Sequence, residues 1–425
     1  MTRLSRTLLT ASAAAALGLL PAAASAQGLT ADHFREQDVR AHIAYLASDE
    51  LEGRESGEHG GYLGEMYVEA HFRRLGLQPL PGQTALRLPF TLKDHPGKTF
   101  YNVVAVLPGR DPALRDKYLA IGGHMDHAGI GGPGAMGAPG EIHNGADDNA
   151  SGTAGVLELA EWYAEHPPRH SLILMGFTAE ERGLLGSKYL VDEKVVPVHA
   201  IEAMINLDMI GRSNGYCFIG GLGTAEEFHP LLDPLFDAVE DCSLEFSDFG
   251  EAPSDNTSFY HGGVPALFFF THIHADYHLP GDDAEKIDYA GHVWILNLVR
   301  EVVDTLDRAP NLTFRQCDGM GMPADFMQRM QSHFTVISER RNSRGSLGLS
   351  LEEAIGGMRI TAVKSGSAGE AVGVALEDLL KSVNGRETRT AKDVRRALGG
   401  AEKGEAVTVV LERDGLTINL QAILK

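Results

Sequence analysis

The chain reads as an α/β protein: a mostly parallel mixed sheet flanked by helices on both faces, followed by a small β-rich domain. Three observations carry that reading. Strand-length apolar runs alternate with helix-length segments between residues 101 and 306. The runs are apolar throughout, as strands covered on both faces require. Charge then changes abruptly: residues 27–344 hold 24 basic and 47 acidic side chains, whereas residues 345–425 hold 11 of each.

Taken in order, residues 1–26 have the form of an export signal. Arg3 and Arg6 precede an apolar run, Leu8–Leu20, and Ala24-Ser25-Ala26 is a small-residue cleavage site. The run is too short to span a bilayer. No cysteine follows the cleavage site, so a lipid anchor is not expected. The mature chain is expected to begin near Gln27 in a periplasmic or extracellular space. Arg3 and Arg6 are the only charges removed, which takes the net charge from -21 to -23. That balance argues against nucleic acid or an anionic membrane as a partner. It suits a substrate bearing a free amine. The 43% hydrophobic and 22% charged composition is that of a globular protein.

Helical periodicity marks Asp38–Leu46 and Tyr62–Leu75, the second stopped by Gly76. Strands follow at Tyr101–Leu107 and Tyr118–Ile121. Ser151–His166 is a helix, and Ser171–Phe177 a buried strand leading into a loop and helix over Thr178–Leu190. Ala203–Leu207 and Val264–Phe270 are strands, and Asp288–Leu306 is a closing helix. Residues 27–308 thus make one catalytic-sized domain. Residues 309–344 are irregular and charged, and read as a linker with one helix over Ala324–Ser332. Residues 345–425 form a separate domain with strands at Met358–Val363, Leu379–Val383, Ala406–Glu412 and Thr417–Leu420, and a helix at Lys392–Leu398. The three cysteines, Cys217, Cys242 and Cys317, allow one disulfide with a thiol left over, and their spacing disfavours a cysteine zinc site.

Chemistry concentrates at strand ends. His124, Glu180, Glu181 and Asp208 each fall within a few residues of the C-terminal end of a strand, the edge where open α/β sheets bind ligands. His124 lies in GGHMDH, Asp148 in GADDNASG, the glutamates in FTAEERGLLGS, Asp208 in NLDMIGR and His278 in ADYHLPGDD. The stretch Gly122–Gly155 carries eleven glycines, so apolar burial is a poor candidate for what holds it. A His and carboxylate set with one bridging carboxylate suits two zinc ions. Such a pair clamps a carbonyl and acidifies a water, and the adjacent Glu180 and Glu181 offer one ligand and one base. His127 and Asp147 read as supporting or loop residues and His143 as a surface-loop residue, and His272 and His274 compete with His278 for the ligand role.

On those five motifs, residues 35–306 resemble the secreted dizinc aminopeptidases of metallopeptidase family 28. The resemblance implies one zinc on His124 and Asp208, a second on Glu181 and His278, and Asp148 as the bridge. It also implies a cis peptide after Asp148, Glu180 as general base, and Asp126 accepting a hydrogen bond from His124 to fix its tautomer. Tyr277 would polarise the substrate carbonyl. One departure stands out: Ser254-Asp255-Asn256 occupies the place of an SDH motif. The implied reaction is hydrolysis of the N-terminal bond of peptides with a free amine. The same scaffold hosts carboxypeptidases and one-zinc glutaminyl cyclases, the alternatives within the enzyme class. The C-terminal domain resembles a PDZ domain, with Ser346–Ser350 as the carboxylate loop, Ala362–Ala368 as its VxxxSPA turn and Val383-Asn384-Gly385 as its VNG turn. It implies a C-terminal peptide ligand. A non-catalytic peptide-binding protein, or a domain that only packs, is the reading from another class.

Overall fold

Strand-length runs that are apolar on both faces need cover on both sides, and they are found as buried strands inside a sheet. The computed structural model describes residues 33–132, 134–137, 140–309, 311–343, 345–398 and 401–425. The export-type segment 1–26 lies outside them. The first domain runs α1 (Glu36–Leu46), α2 (His59–Arg74), β1 (Arg87–Phe90), β2 (Phe100–Leu107), β3 (Tyr118–His124), α3 (Gly152–Glu165), β4 (Ser171–Phe177), α4 (Leu185–Asp192) and β5 (Ile201–Leu207). It continues with β6 (Tyr216–Gly220), α5 (Phe228–Phe236), β7 (Ser243–Phe246), α6 (Asn256–His261), β8 (Ala266–Phe270) and α7 (Tyr289–Arg308).

The eight strands form one sheet in the order β1-β2-β4-β3-β5-β8-β6-β7. Its centre, β4-β3-β5-β8, is parallel throughout. The pairs β1-β2, β2-β4 and β6-β8 are antiparallel, so the sheet is mixed. β3, β4 and β8 are buried at every position. Along β2 the side chains alternate between two cores. Val103, Ala105 and Leu107 face the layer of α1, α2, α3 and α7, and Val104 and Val106 face the layer of α4 and α6. This two-residue period is what lets one strand serve two helix layers.

Two regions depart from expectation. The expected strands were found, but β1, β6 and β7 were not anticipated. β7 is largely solvent-facing and four residues long, so it carries no apolar signal. The linker is also not free chain. Thr313 and Arg315 pair with Glu226 and Thr224, and the Cys317 N–H donates to the Tyr260 hydroxyl at 2.8 Å. Gly321 N–H donates to the Glu251 carbonyl at 2.6 Å. This arm leads into α8 (Phe326–Ser343), twice the expected length, which packs Phe326 and Met330 on the domain; its second half is mostly polar and so carries no apolar signal in the sequence. No disulfide forms: Cys217 is buried within β6, Cys317 is buried with its thiol 3.0 Å from the Gly223 carbonyl, and Cys242 is partly exposed.

The C-terminal domain is a six-stranded antiparallel sheet. It comprises β9 (Leu349–Ala354), β10 (Gly357–Val363), α9 (Ala368–Ala371), β11 (Leu379–Val383), β12 (Arg386–Glu387), α10 (Ala391–Leu398), β13 (Ala406–Arg413) and β14 (Leu416–Ile423). It has its own core, including Leu347, Ile360, Leu380, Val383, Val409 and Leu411. Among the described residues no helix is long and apolar enough to cross a membrane.

Candidate metal centre

The four central parallel strands end on one edge, and each delivers part of the site. β3 ends on His124 itself. The turn after β4 carries Glu180 and Glu181, Asp208 directly follows β5, and the segment after β8 carries Tyr277 and His278. Asp148 arrives from the turn ahead of α3, where the Asp148–Asn149 peptide is cis as the resemblance implies. Ala179, Met209 and His278 hold φ of 58°, 51° and 53°, left-handed values that side chains other than glycine seldom adopt. Each sits at or beside a chemical residue, where such strain is commonly held.

The distances divide the groups into two halves around one carboxylate. His124 Nε2 lies 3.3 Å from Asp148 Oδ1 and 3.4 Å from Asp208 Oδ1. His278 Nε2 lies 3.0 Å from Asp148 Oδ2 and 3.4 Å from Glu181 Oε2. The two oxygens of Asp148 thus face different histidines. The other ring nitrogens settle the tautomers. His124 Nδ1 is 3.1 Å from the Asp126 carbonyl and His278 Nδ1 is 2.7 Å from the Gly134 carbonyl. A carbonyl only accepts, so both Nδ1 atoms carry the proton. Each Nε2 is therefore the ring atom turned to the carboxylate oxygens, where it either shares a proton with them or, with that proton displaced, gives its lone pair to a cation. Donor atoms of His124, Glu180 and Asp208, and those of His127, Asp148 and Glu181, lie within 4.8 Å of one another in each group. Buried nitrogen and oxygen donors at this spacing fit two divalent ions of the zinc type.

The electrostatics agree. Burial alone would lower His124, but Glu180, Asp208 and Asp148 raise it well above an ordinary imidazole, and His278 rises to about 9 against burial through Glu181 and Asp148. Burial opposes ionisation of Asp148, yet the three surrounding histidines hold it well below the usual carboxylate range. Glu180 goes the other way: burial, with Glu181 and Asp255 adding to it, raises it well above that range. The adjacent Glu181 is lowered, since His278 and His127 outweigh its burial. Two neighbouring carboxyls are thus pushed apart, one toward holding a cation and one toward holding a proton. Burial also keeps the Tyr277 hydroxyl protonated.

The supporting residues refine the sequence reading. His124 does point its Nδ1 at Asp126, but at the backbone carbonyl. The Asp126 carboxylate stands 4.0 Å away and instead accepts the Glu180 N–H at 3.2 Å. The short turn after β3 brings the carbonyl two residues on under the ring, which leaves the carboxylate free to fix the Glu180 backbone. His127 lies 2.8 Å from Glu181 Oε1, as a donor orienting that carboxylate would. His274 is turned away, 3.4 Å from Asp147, and His272 stacks on Tyr216, so neither competes with His278. His143 is fully buried, not a surface residue: its Nε2 accepts the Gly137 N–H at 3.2 Å. Asp255 is buried beneath the site, and burial raises it to about 7. Asn256 donates to the Gly250 carbonyl, a structural contact.

Three residues take roles that the sequence did not assign. Ser254 donates to Asp208 Oδ2 at 2.6 Å. Asp282 accepts the N–H groups of Asp147 and Asp148 at 2.9 and 3.0 Å, held in turn by Arg212. Arg54 is buried and donates to the carbonyls of Leu46, Met125, Asn144 and Gly145, tying together the segments that bear His124 and Asp148. Gly134 explains part of the Gly-rich loop, since a Cβ there would sit 2.6 Å from Glu181 Oε2; Gly53, in the turn ahead of α2, has the His143 carbonyl packed as closely against it. Bare backbone is what fits against the donor groups.

A cavity of about 60 Å³ opens on these groups, lined also by Met209, Phe268, Phe270, Ile273, Met322 and Phe326.

Comparison with known proteins adds three facts. Residues 102–303 match the profile of Peptidase family M28, and residues 345–424 that of the PDZ domain. The chain is 29% identical over 214 residues to leucine aminopeptidase 1 of Ajellomyces dermatitidis (strain ER-3 / ATCC MYA-2586), covering 46% of this chain and 53% of the relative. It thus spans about half the length of the curated relatives it matches. In fold it is similar to LapB from Legionella pneumophila (TM-score 0.54, 18% identity, 67% of this chain and 75% of that one). It is similar too to Porphyromonas gingivalis glutaminyl cyclase (TM-score 0.52, 17% identity, 65% and 100%), so the scaffold alone does not choose the reaction.

Proposed function

Because residues 102–303 form a Peptidase family M28 domain and residues 345–424 a PDZ domain, we propose that the chain is an exported zinc-dependent aminopeptidase. The observation that carries the reading is the pair of histidine Nε2 atoms, each with its Nδ1 tied to a backbone carbonyl, facing the two oxygens of Asp148. In this reading His124 and Asp208 hold one zinc, Glu181 and His278 hold the other, and Asp148 lies between them. When bound, the ions polarise the scissile carbonyl and acidify water.

The protein's own groups do the rest. Glu180 stands 4.0 Å from His124 Nε2 and is disposed by its surroundings to hold a proton. It takes the proton of the attacking water and returns it to the leaving amine. Asp126 fixes the backbone of Glu180 through the N–H of that residue. Tyr277, a neutral donor that lines the same cavity, would steady the oxyanion of the tetrahedral intermediate. The acidic surroundings favour a substrate with a free N-terminal amine. The name of the relative, leucine aminopeptidase 1, supports the same choice over a cyclase or carboxypeptidase. The signal-like residues 1–26 support export to the periplasm or beyond, and the PDZ domain supports recognition of a peptide C-terminus.

A panel of aminoacyl chromogenic amides, free and acetylated at the amine, tests this. Free-amine substrates are expected to be cleaved and to lose turnover on chelation. Equal cleavage of acetylated substrates, or turnover indifferent to chelator, would refute the reading.

A further inference from the structure

The cavity beside the candidate metal centre is not closed by the peptidase domain alone. Its apolar lining includes Met209, Phe268, Phe270 and Ile273 from that domain, but also Met322 and Phe326 from the arm beyond residue 303. Phe326, Met330 and His333 repeat at helical spacing along α8. Phe326 and Met330 pack, with Met322, on a cluster that contains Met209, Phe268, Phe270 and Tyr277. His333 is buried and donates from Nε2 to the Tyr277 carbonyl at 2.7 Å, one residue before His278. The arm is fastened at its start as well: Glu245 accepts the Ala324 N–H at 2.7 Å, and Gly321 bonds to Glu251. These bonds hold both ends of the short segment that presents Met322 and Phe326.

We propose that Met322 and Phe326 form the far wall of the pocket for the side chain of the substrate's first residue, and set the size that it accepts. The proposal rests on the aminopeptidase reading. At about 60 Å³, a volume that includes the space beside the donor groups, the cavity is small against the roughly 300–1,000 Å³ of sites that enclose whole ligands. It takes one side chain. Away from the donor groups its walls are Met, Phe, Ile and Pro, with nothing to pair a charged side chain. The substrates favoured are peptides that begin with a mid-sized apolar residue, such as leucine or methionine. Tryptophan is refused by the arm, and lysine or glutamate by the lack of a partner. The size limit is therefore written outside the 102–303 domain, in the segment that leads to the PDZ domain.

The test compares kcat/KM for leucyl and tryptophanyl amides in the zinc-loaded full chain and in Met322→Ala and Phe326→Ala. Phe326→Leu is included as a milder variant should the alanine disturb folding. Thermal melting and metal content are recorded for each. Shortening the wall is expected to raise the tryptophan-to-leucine ratio about tenfold, the size of effect that a methylene or two commonly has in an apolar pocket. Calorimetric binding of free L-tryptophan relative to L-leucine should shift in the same direction. If the wild type cleaves free-amine amides but the ratio stays within about twofold in every folded variant, the wall assignment is wrong while the aminopeptidase reading stands. If the wild type cleaves no free-amine amide, the underlying reading fails and takes the wall with it.

Discussion

Arg54 shows how much of this site is built from backbone. Its guanidinium is buried beneath the candidate metal centre and donates to four carbonyls, two of them at Asn144 and Gly145 and one at Met125. Burial lowers it to about 10, while Asp148, Asp126, Asp282 and Glu181 pull the other way, so it remains a cation under an acidic cluster. We expect Arg54→Met to weaken zinc binding about 10- to 100-fold, as loss of a supporting group commonly does. Arg54→Lys should recover little, because an ammonium cannot span four separated carbonyls. Competition against a zinc chelator reads this directly, and unchanged affinity in Arg54→Met would contradict it. The same residue marks the limit of sequence reading. His124, Asp148, Glu180, Glu181, Asp208 and His278 were legible because each lies in a short motif at a strand end or beside one. Arg54 was not, since its partners at Met125, Asn144 and Gly145 are 71, 90 and 91 residues away. The roles of Ser254 and Asp282 went unassigned for the same reason, their partners lying 46 and 134–135 residues away.

At the scale of elements, the strands with apolar residues on both faces were legible, and so were the long amphipathic helices. β1 and β7 were not, because edge strands of four residues take their identity from a neighbour rather than from a pattern. One contact between elements carries a pH dependence. His292 on α7 donates from Nε2 to the Ser151 carbonyl at the start of α3, and its Nδ1 is buried without a partner. Burial lowers its pKa from 6.5 to about 4. A group lowered on folding stabilises the fold above its unfolded pKa. That stability is lost as pH falls, here between about 6.5 and 4, by up to about 1.4 kcal/mol per pH unit. In His292→Gln the slope of unfolding free energy against pH over that window should be shallower by about one proton. An unchanged slope in denaturant titrations would refute the assignment.

For the whole molecule, the charge step near residue 345 marked the second domain, and the core around Leu380 and Val409 shows why that segment stands as its own unit. The arm between the domains was the least legible part. Its sequence is polar and irregular, and only the fold reveals that Met322 and Phe326 reach the cavity. The proposed chemistry needs both a two-ion centre and Glu180 as its base. The direct measurement is a zinc titration of the chelator-stripped full chain beside Glu180→Gln, following bound metal and hydrolysis of a leucyl amide together. Both proteins should take up two ions per chain, and only the wild type should gain turnover, with the variant slower by about 10²–10⁴-fold. Near wild-type turnover in Glu180→Gln, or full activity with fewer than two ions bound, would contradict the account.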